Sequence, residues 1–176
     1  DKREGPREAP AVAVEHRQRP QIDRVQADRP LRGIAVGRQR RAAVAALIEA
    51  ADAAGAETVS LIPRVDLRDP DADARAASLR AAVADVAPRL AGTKVVALLE
   101  PIGFANCSMK FQCEAAAAIE SLDLGERFGI VHDTFQHALA KDEDILAPYI
   151  RMVHISGISG GAGDLTDAQD GARGLV

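Results

Sequence analysis

The chain predicts an α/β fold built on a parallel sheet, and three features carry that prediction. From about residue 41 onward, helix-like and strand-like stretches alternate with a repeat of roughly 30 residues, the length of a strand–helix–strand unit. The strand-like runs are short, apolar and unalternated, as in strands covered on both faces. Several of them end on a polar side chain that leads directly into a loop or helix, as at Gly129–His137, GIVHDTFQH. Right-handed crossovers follow from that alternation.

The first 40 residues stand apart. They are rich in Arg, carry Pro6, Pro10, Pro20 and Pro30, and show neither an aromatic residue nor an apolar period. Prolines at such intervals interrupt helices and remove backbone donors from sheets. Residues 1–40 are therefore expected to be a disordered leader, or a non-native reading frame of a GC-rich gene. A basic nucleic-acid arm fits less well, because Glu4, Glu8, Glu15, Asp23 and Asp28 dilute the charge.

The remainder, 41–176, is expected to form the folded domain. Val44, Leu47, Ile48 and Ala51 lie on one face of a helix that begins near Arg41 and ends before Gly55. Thr58–Ile62 is a β-branched strand stopped by Pro63. Asp71 is placed to cap a helix whose stripe is Leu79, Val83, Val86 and Leu90, closed by Gly92. Lys94–Leu99 is the next strand, and Glu100-Pro101 ends it. A helix carrying Ala115, Ala118, Ile119 and Leu122 leads to a strand at Phe128–Val131. A helix over Phe135–Leu146 and a strand at Met152–Ile155 complete the pattern, and the Gly-rich tail shows no further clear strand. Neither GxGxxG nor GxxxxGK[ST] is present, which removes the main supports for a nucleotide-binding sheet.

Composition narrows the function classes. The chain has 176 residues, 47% apolar but only 3% aromatic, so the core is expected to have few large anchors. A net charge of −4 argues against nucleic-acid or membrane partners. No apolar run approaches the roughly 20 residues of a membrane span, and the first residues lack the apolar region of a signal peptide. Cys107 and Cys113 fit neither a zinc spacing nor a disulfide framework, and are read as reduced thiols of a cytoplasmic protein.

Three strand ends carry metal-competent groups. Glu100 closes KVVALLE, Asp133 follows GIVH, and His154 lies in RMVHIS. Taken singly, Asp133 could serve only as a helix cap, and His154 as a hydrogen-bonded core histidine. Together they point to one divalent cation, because successive strand ends of a barrel converge on one mouth. His132 is expected to point away from the face used by Asp133, since strand neighbours alternate. Gln136 and His137 open the following helix and are candidate substrate contacts. Lys110, in the loop beyond Glu100, is a candidate anion contact.

LLEPIGF, VHDTFQH and VHISG together resemble the sugar phosphate isomerase/epimerase group of xylose-isomerase-like TIM barrels over roughly residues 42–176. The resemblance implies a parallel (β/α) barrel of the TIM type, here partial, with about four strand–helix units. It implies one divalent metal (Mn, Mg or Co, with Zn also fitting) held by Glu100, Asp133 and His154. It also implies proton transfer beside the carbonyl of a small sugar, keto-sugar or inositol derivative through an ene-diolate, with Glu100 as one acid/base group. The substrate is thus a small sugar-like molecule, and a homo-oligomer is compatible with the family. Two departures stand out. The family's DTFH histidine is replaced by Gln136, with His137 one position later, and the strand for a second metal-binding Glu is not recognisable. A chain without that carboxylate is expected to be a poor catalyst. The other classes weighed are a non-catalytic barrel fragment and an endonuclease-IV-like nuclease, which would need more histidines.

Overall fold

The computed structural model describes residues 33–65, 71–158 and 173–174. Most of the expected leader, residues 66–70 and most of the Gly-rich tail lie outside the described residues. Four parallel strands form one sheet in the order β1-β2-β3-β4: β1 Thr58–Leu61, β2 Val96–Leu99, β3 Phe128–Asp133 and β4 Ile150–His154. The helices are α1 Gly33–Ala53, α2 Ala72–Leu90, α3 Gln112–Glu120 and α4 Thr134–Ala140. A two-residue antiparallel ladder, β5 Gly157–Ile158 with β6 Arg173–Gly174, follows β4.

The main core lies between the sheet and its helices. Ala97, Leu99, Phe128 and Ile130 project from β2 and β3 towards Ile48, Val83, Val86, Leu90, Ala115 and Ile119. The helices end by ordinary chemistry. Gly55 and Gly92 take the left-handed conformation after α1 and α2, and the Asp71 side chain accepts from the Ala74 N–H at the start of α2. The Arg127 guanidinium donates to the Leu90 carbonyl at the end of α2, which fixes that helix to the start of β3.

Several boundaries differ from those read in the sequence. Helix α1 starts at Gly33 rather than near Arg41; Arg38, Gln39, Arg40 and Arg41 are exposed, and an exposed turn carries no apolar period. Helix α3 stops at Glu120, which leaves Leu122 in the following turn with 36% exposure. Helix α4 ends at Ala140, well short of Leu146. Lys141 turns left-handed there, and the Asp142 side chain is recruited to the Gln112 N–H at the start of α3. Strand β4 begins at Ile150 and ends at His154, two residues ahead of the expected start.

One irregularity decides what the sheet presents at its mouth. Ile130 pairs with Ile150 but Val131 pairs with Met152, so β4 carries an extra residue, Arg151. The side chain of Arg151 lies over Gly129, where a Cβ would collide with it. Without this shift Asp133 would face Val153. With it, Asp133 pairs with His154, and paired residues of parallel strands point to the same face.

Candidate metal centre

Glu100 and Asp133 reach the same face by register. Leu99 pairs with Ile130, so Glu100 lies level with Val131, and Asp133 is two residues further along β3. The bulge in β4 adds His154. Donor atoms of all three residues lie within 4.8 Å of one another at the C-terminal ends of three successive strands. Among the described residues this is the one group of three or more such side chains. Glu100 is 6% and Asp133 4% exposed, whereas the His154 side chain is 42% exposed.

Each ligand candidate is held by its surroundings. His154 Nδ1 is 3.2 Å from Glu100 Oε1. Asp133 Oδ1 accepts from the N–H groups of Phe135 (2.9 Å) and Gln136 (3.0 Å), and from the Ser156 hydroxyl (3.2 Å). The cap reading of Asp133 therefore holds, and it is compatible with ligation, since such bonds orient a carboxylate as outer-shell partners do. Thr134 Oγ1 donates to the Ser156 carbonyl and accepts from its N–H, tying the loop after β4 to the first turn of α4. Ser156 was not singled out in the sequence, and a lone serine after a strand carries no signal that could have done so.

The donor set suits a divalent cation. Two ligands about 2.1 Å from one metal stand at most roughly 4.2 Å apart. The 4.8 Å limit therefore asks for a small closing movement, within the rotamer freedom of the half-exposed His154.

The other candidate site residues are placed elsewhere. Gln136 is 2% exposed; its Oε1 accepts from the Gly103 N–H at 2.7 Å, and its Nε2 is buried without a partner among the described residues. It is enclosed rather than displayed to a ligand. His137 packs against His132, ring centres 4.8 Å apart and the rings tilted by 52°, on the helix side of β3. The reason is Gln112. Its Oε1 accepts from the Leu146 N–H, so its Nε2 donates to His132 Nδ1 at 2.7 Å and lies 3.4 Å from His137 Nδ1. The Lys110 amine sits 5.1 Å above the Phe111 ring. Neither His137 nor Lys110 joins the cluster.

Burial, and then the neighbouring His137, hold the His132 imidazole below its ordinary pKa, with Asp133 and Asp142 opposing. Burial also pushes the thiols of Cys107 and Cys113 up, and neither belongs to the site. A cleft of about 880 Å³ opens between α1 and α2, lined by Leu47, Leu61, Val83, Leu99 and Phe128 among others. It contains none of the three converging residues, and its walls are largely apolar.

Residues 33–172 match the family model described as xylose isomerase-like TIM barrel. Among solved structures, the fold is similar to that of the IolI protein with a binding zinc atom, with TM-score 0.70 and 16% identity over 81% of this chain and 52% of that one. It is also similar to a xylose isomerase domain containing protein from Salmonella typhimurium LT2, with TM-score 0.57 and 22% identity over 74% of this chain and 48% of that one. The chain thus spans about half the length of these solved relatives. At such identities the likeness speaks to fold alone. No curated protein sequence matches the chain. Among the described residues no helix is long and apolar enough to cross a membrane.

Proposed function

The chain belongs to the xylose isomerase-like TIM barrel family, and from that premise we propose that it serves a divalent-metal-dependent isomerase or epimerase acting on a small sugar, keto-sugar or inositol derivative. The observation that carries the proposal is the convergence of Glu100, Asp133 and His154 at three consecutive strand ends. The zinc atom in the IolI structure supports a metal at a barrel of this kind. Carboxylate oxygens suit Mn or Mg and the imidazole suits Co or Zn, so the donor set admits all four.

Glu100, Asp133 and His154 are the residues that would hold the ion. When bound, it supplies Lewis-acid polarisation of a carbonyl and its neighbouring hydroxyl. The protein's own part is proton handling. Glu100 is buried, directly follows β2 and is the carboxylate we assign to remove a proton from the carbon beside the carbonyl. Asp133 is immobilised by hydrogen bonds from Phe135, Gln136 and Ser156 and acts as an oriented ligand. His154, on the exposed side, closes the set.

The test is solvent deuterium exchange into a panel of ketoses and inososes with added Mn. Exchange needs one base, whereas epimerisation needs two, so exchange is the more sensitive measurement. The expected result is exchange above the protein-free rate that disappears in Glu100→Gln and persists in His137→Asn. Exchange that survives Glu100→Gln, or none with any substrate, contradicts the proposal.

A further inference from the structure

The two buried carboxylates of the cluster are carried by different segments, and one side chain bridges those segments. Gln136, in the first turn of α4, gives its backbone N–H to Asp133 Oδ1 at 3.0 Å. Its side-chain Oε1 accepts the N–H of Gly103 at 2.7 Å, in the loop that leaves Glu100 through Pro101 and Ile102. Loop and helix are in backbone contact there. A Cβ at Gly103 would lie 2.5 Å from the Gln136 carbonyl oxygen and 2.7 Å from the Ala140 nitrogen. Packing alone does not call for an amide in this place. Nε2 is enclosed with no hydrogen-bond partner among the described residues, a cost that a methionine of similar volume would not carry. The bond from Gly103 to Oε1 is what the amide provides.

We propose that Gln136 is a positioning residue that clamps the Glu100 loop onto the Asp133 helix and thereby sets the separation of the two carboxylates. The functional consequence rests on the metal reading above, whereas the clamp does not. Loss of Oε1 frees the Gly103 N–H, lets the loop part from α4, and allows Glu100 to drift from Asp133 and His154. Partners beyond the first ligands typically alter metal affinity by about 10–100-fold, and that is the range expected here.

The test uses Gln136→Met in the full chain, with Gln136→Glu as the variant that keeps an acceptor. Amide hydrogen exchange is followed at Gly103 and at Ile102, whose N–H bonds the Met109 carbonyl and does not depend on Gln136. In Gln136→Met, protection at Gly103 should fall by about tenfold or more, as for a locally opened segment, while Ile102 stays protected. Gln136→Glu should retain Gly103 protection. Mn affinity of the Met variant should weaken by about 10–100-fold, and the visible spectrum of the Co-loaded protein should change.

Val83→Ala, a core truncation in α2, is the control for lost stability: its unfolding midpoint drops but its Mn affinity stays within about twofold. If Gln136→Met does not fold, Gln136→Asn, whose amide is one methylene too short, carries the same comparison. Unchanged Gly103 exchange in these variants overturns the clamp. Wild-type Mn affinity alongside lost Gly103 protection overturns its role in the site. A wild-type chain that takes up no metal overturns the metal reading instead, and the exchange experiment still decides the clamp.

Discussion

Replacing Gly103 by alanine should damage this protein more than most glycine substitutions, and the structure gives the size of the effect. The backbone angle at Gly103 is not in the left-handed region, so space rather than dihedral freedom requires glycine. An added Cβ would lie 2.5 Å from the Gln136 carbonyl oxygen, 2.7 Å from the Ala140 nitrogen and 2.9 Å from the Leu139 Cβ. The first two are backbone atoms of α4 and cannot rotate away. Carbon and carbonyl oxygen normally meet at about 3.3–3.6 Å, so the loop must retreat by well over half an ångström. That retreat breaks the buried 2.7 Å bond from Gly103 to Gln136, a loss of about 1–3 kcal/mol. Residual overpacking costs about 1–3 kcal/mol more. Stiffening of the unfolded chain returns about 0.4–1 kcal/mol. The net expectation is about 1–5 kcal/mol of destabilisation, or a melting midpoint lowered by roughly 2–20 °C. Urea and thermal unfolding followed by circular dichroism measure it. Gly37→Ala is the contrast: Gly37 lies in α1 with nothing within 4 Å of an added Cβ, so alanine should stabilise by about 0.5–1 kcal/mol. A Gly103→Ala protein within about 0.5 kcal/mol of wild type, the range of neutral surface changes, would refute the reasoning.

Two further expectations concern regions outside the cluster. Glu114 accepts the N–H groups of Lys110 and Phe111 at the start of α3 and pairs with Arg75 of α2 at 2.8 Å, with both side chains under one-fifth exposed. Glu114→Gln should therefore cost about 1–3 kcal/mol in chemical denaturation, and an unchanged midpoint would show that this link between helices carries no stability. For His132, the folded-state pKa lies below that of the unfolded chain because of burial and His137. The unfolded state then binds the extra proton first, so the stability this histidine contributes is complete above pH ~6.5 and is lost as pH falls through the folded value. In metal-free protein, the stability gap between wild type and His132→Gln should narrow from pH 7 to pH 5; a constant gap would contradict the assignment.

How much of this was legible in the sequence depends on what burial imprints on it. The strands β2 and β3 are short apolar runs bounded by polar ends, and the α2 stripe of Val83, Val86 and Leu90 has the helical period, so both were readable. Glu100, Asp133 and His154 were readable as a set because each closes or borders a strand. Features that depend on contacts between distant segments were not. The extra residue Arg151 in β4, accommodated by Gly129, determines that His154 shares a face with Asp133, and no local pattern marks it. The early end of α4 reflects the recruitment of Asp142 to the start of α3, a partner 30 positions away. His137 lies on a short helix, and its contacts with His132 and with Gln112, 25 positions away, carry no mark in the local sequence. The position of Gln136 at the start of α4 suggests a substrate contact, and no local pattern marks that its Oε1 accepts the Gly103 N–H from a segment 33 positions away.

The most direct test of the central claim is the stoichiometry of divalent metal binding to the chain, measured by titration of Mn and Zn into chelator-treated protein. The account predicts one equivalent, lost in Asp133→Asn and in Glu100→Gln and retained in His137→Asn, because Asp133 and Glu100 belong to the converging cluster and His137 does not. Binding of several equivalents, binding indifferent to Glu100 and Asp133, or no binding at all would contradict it.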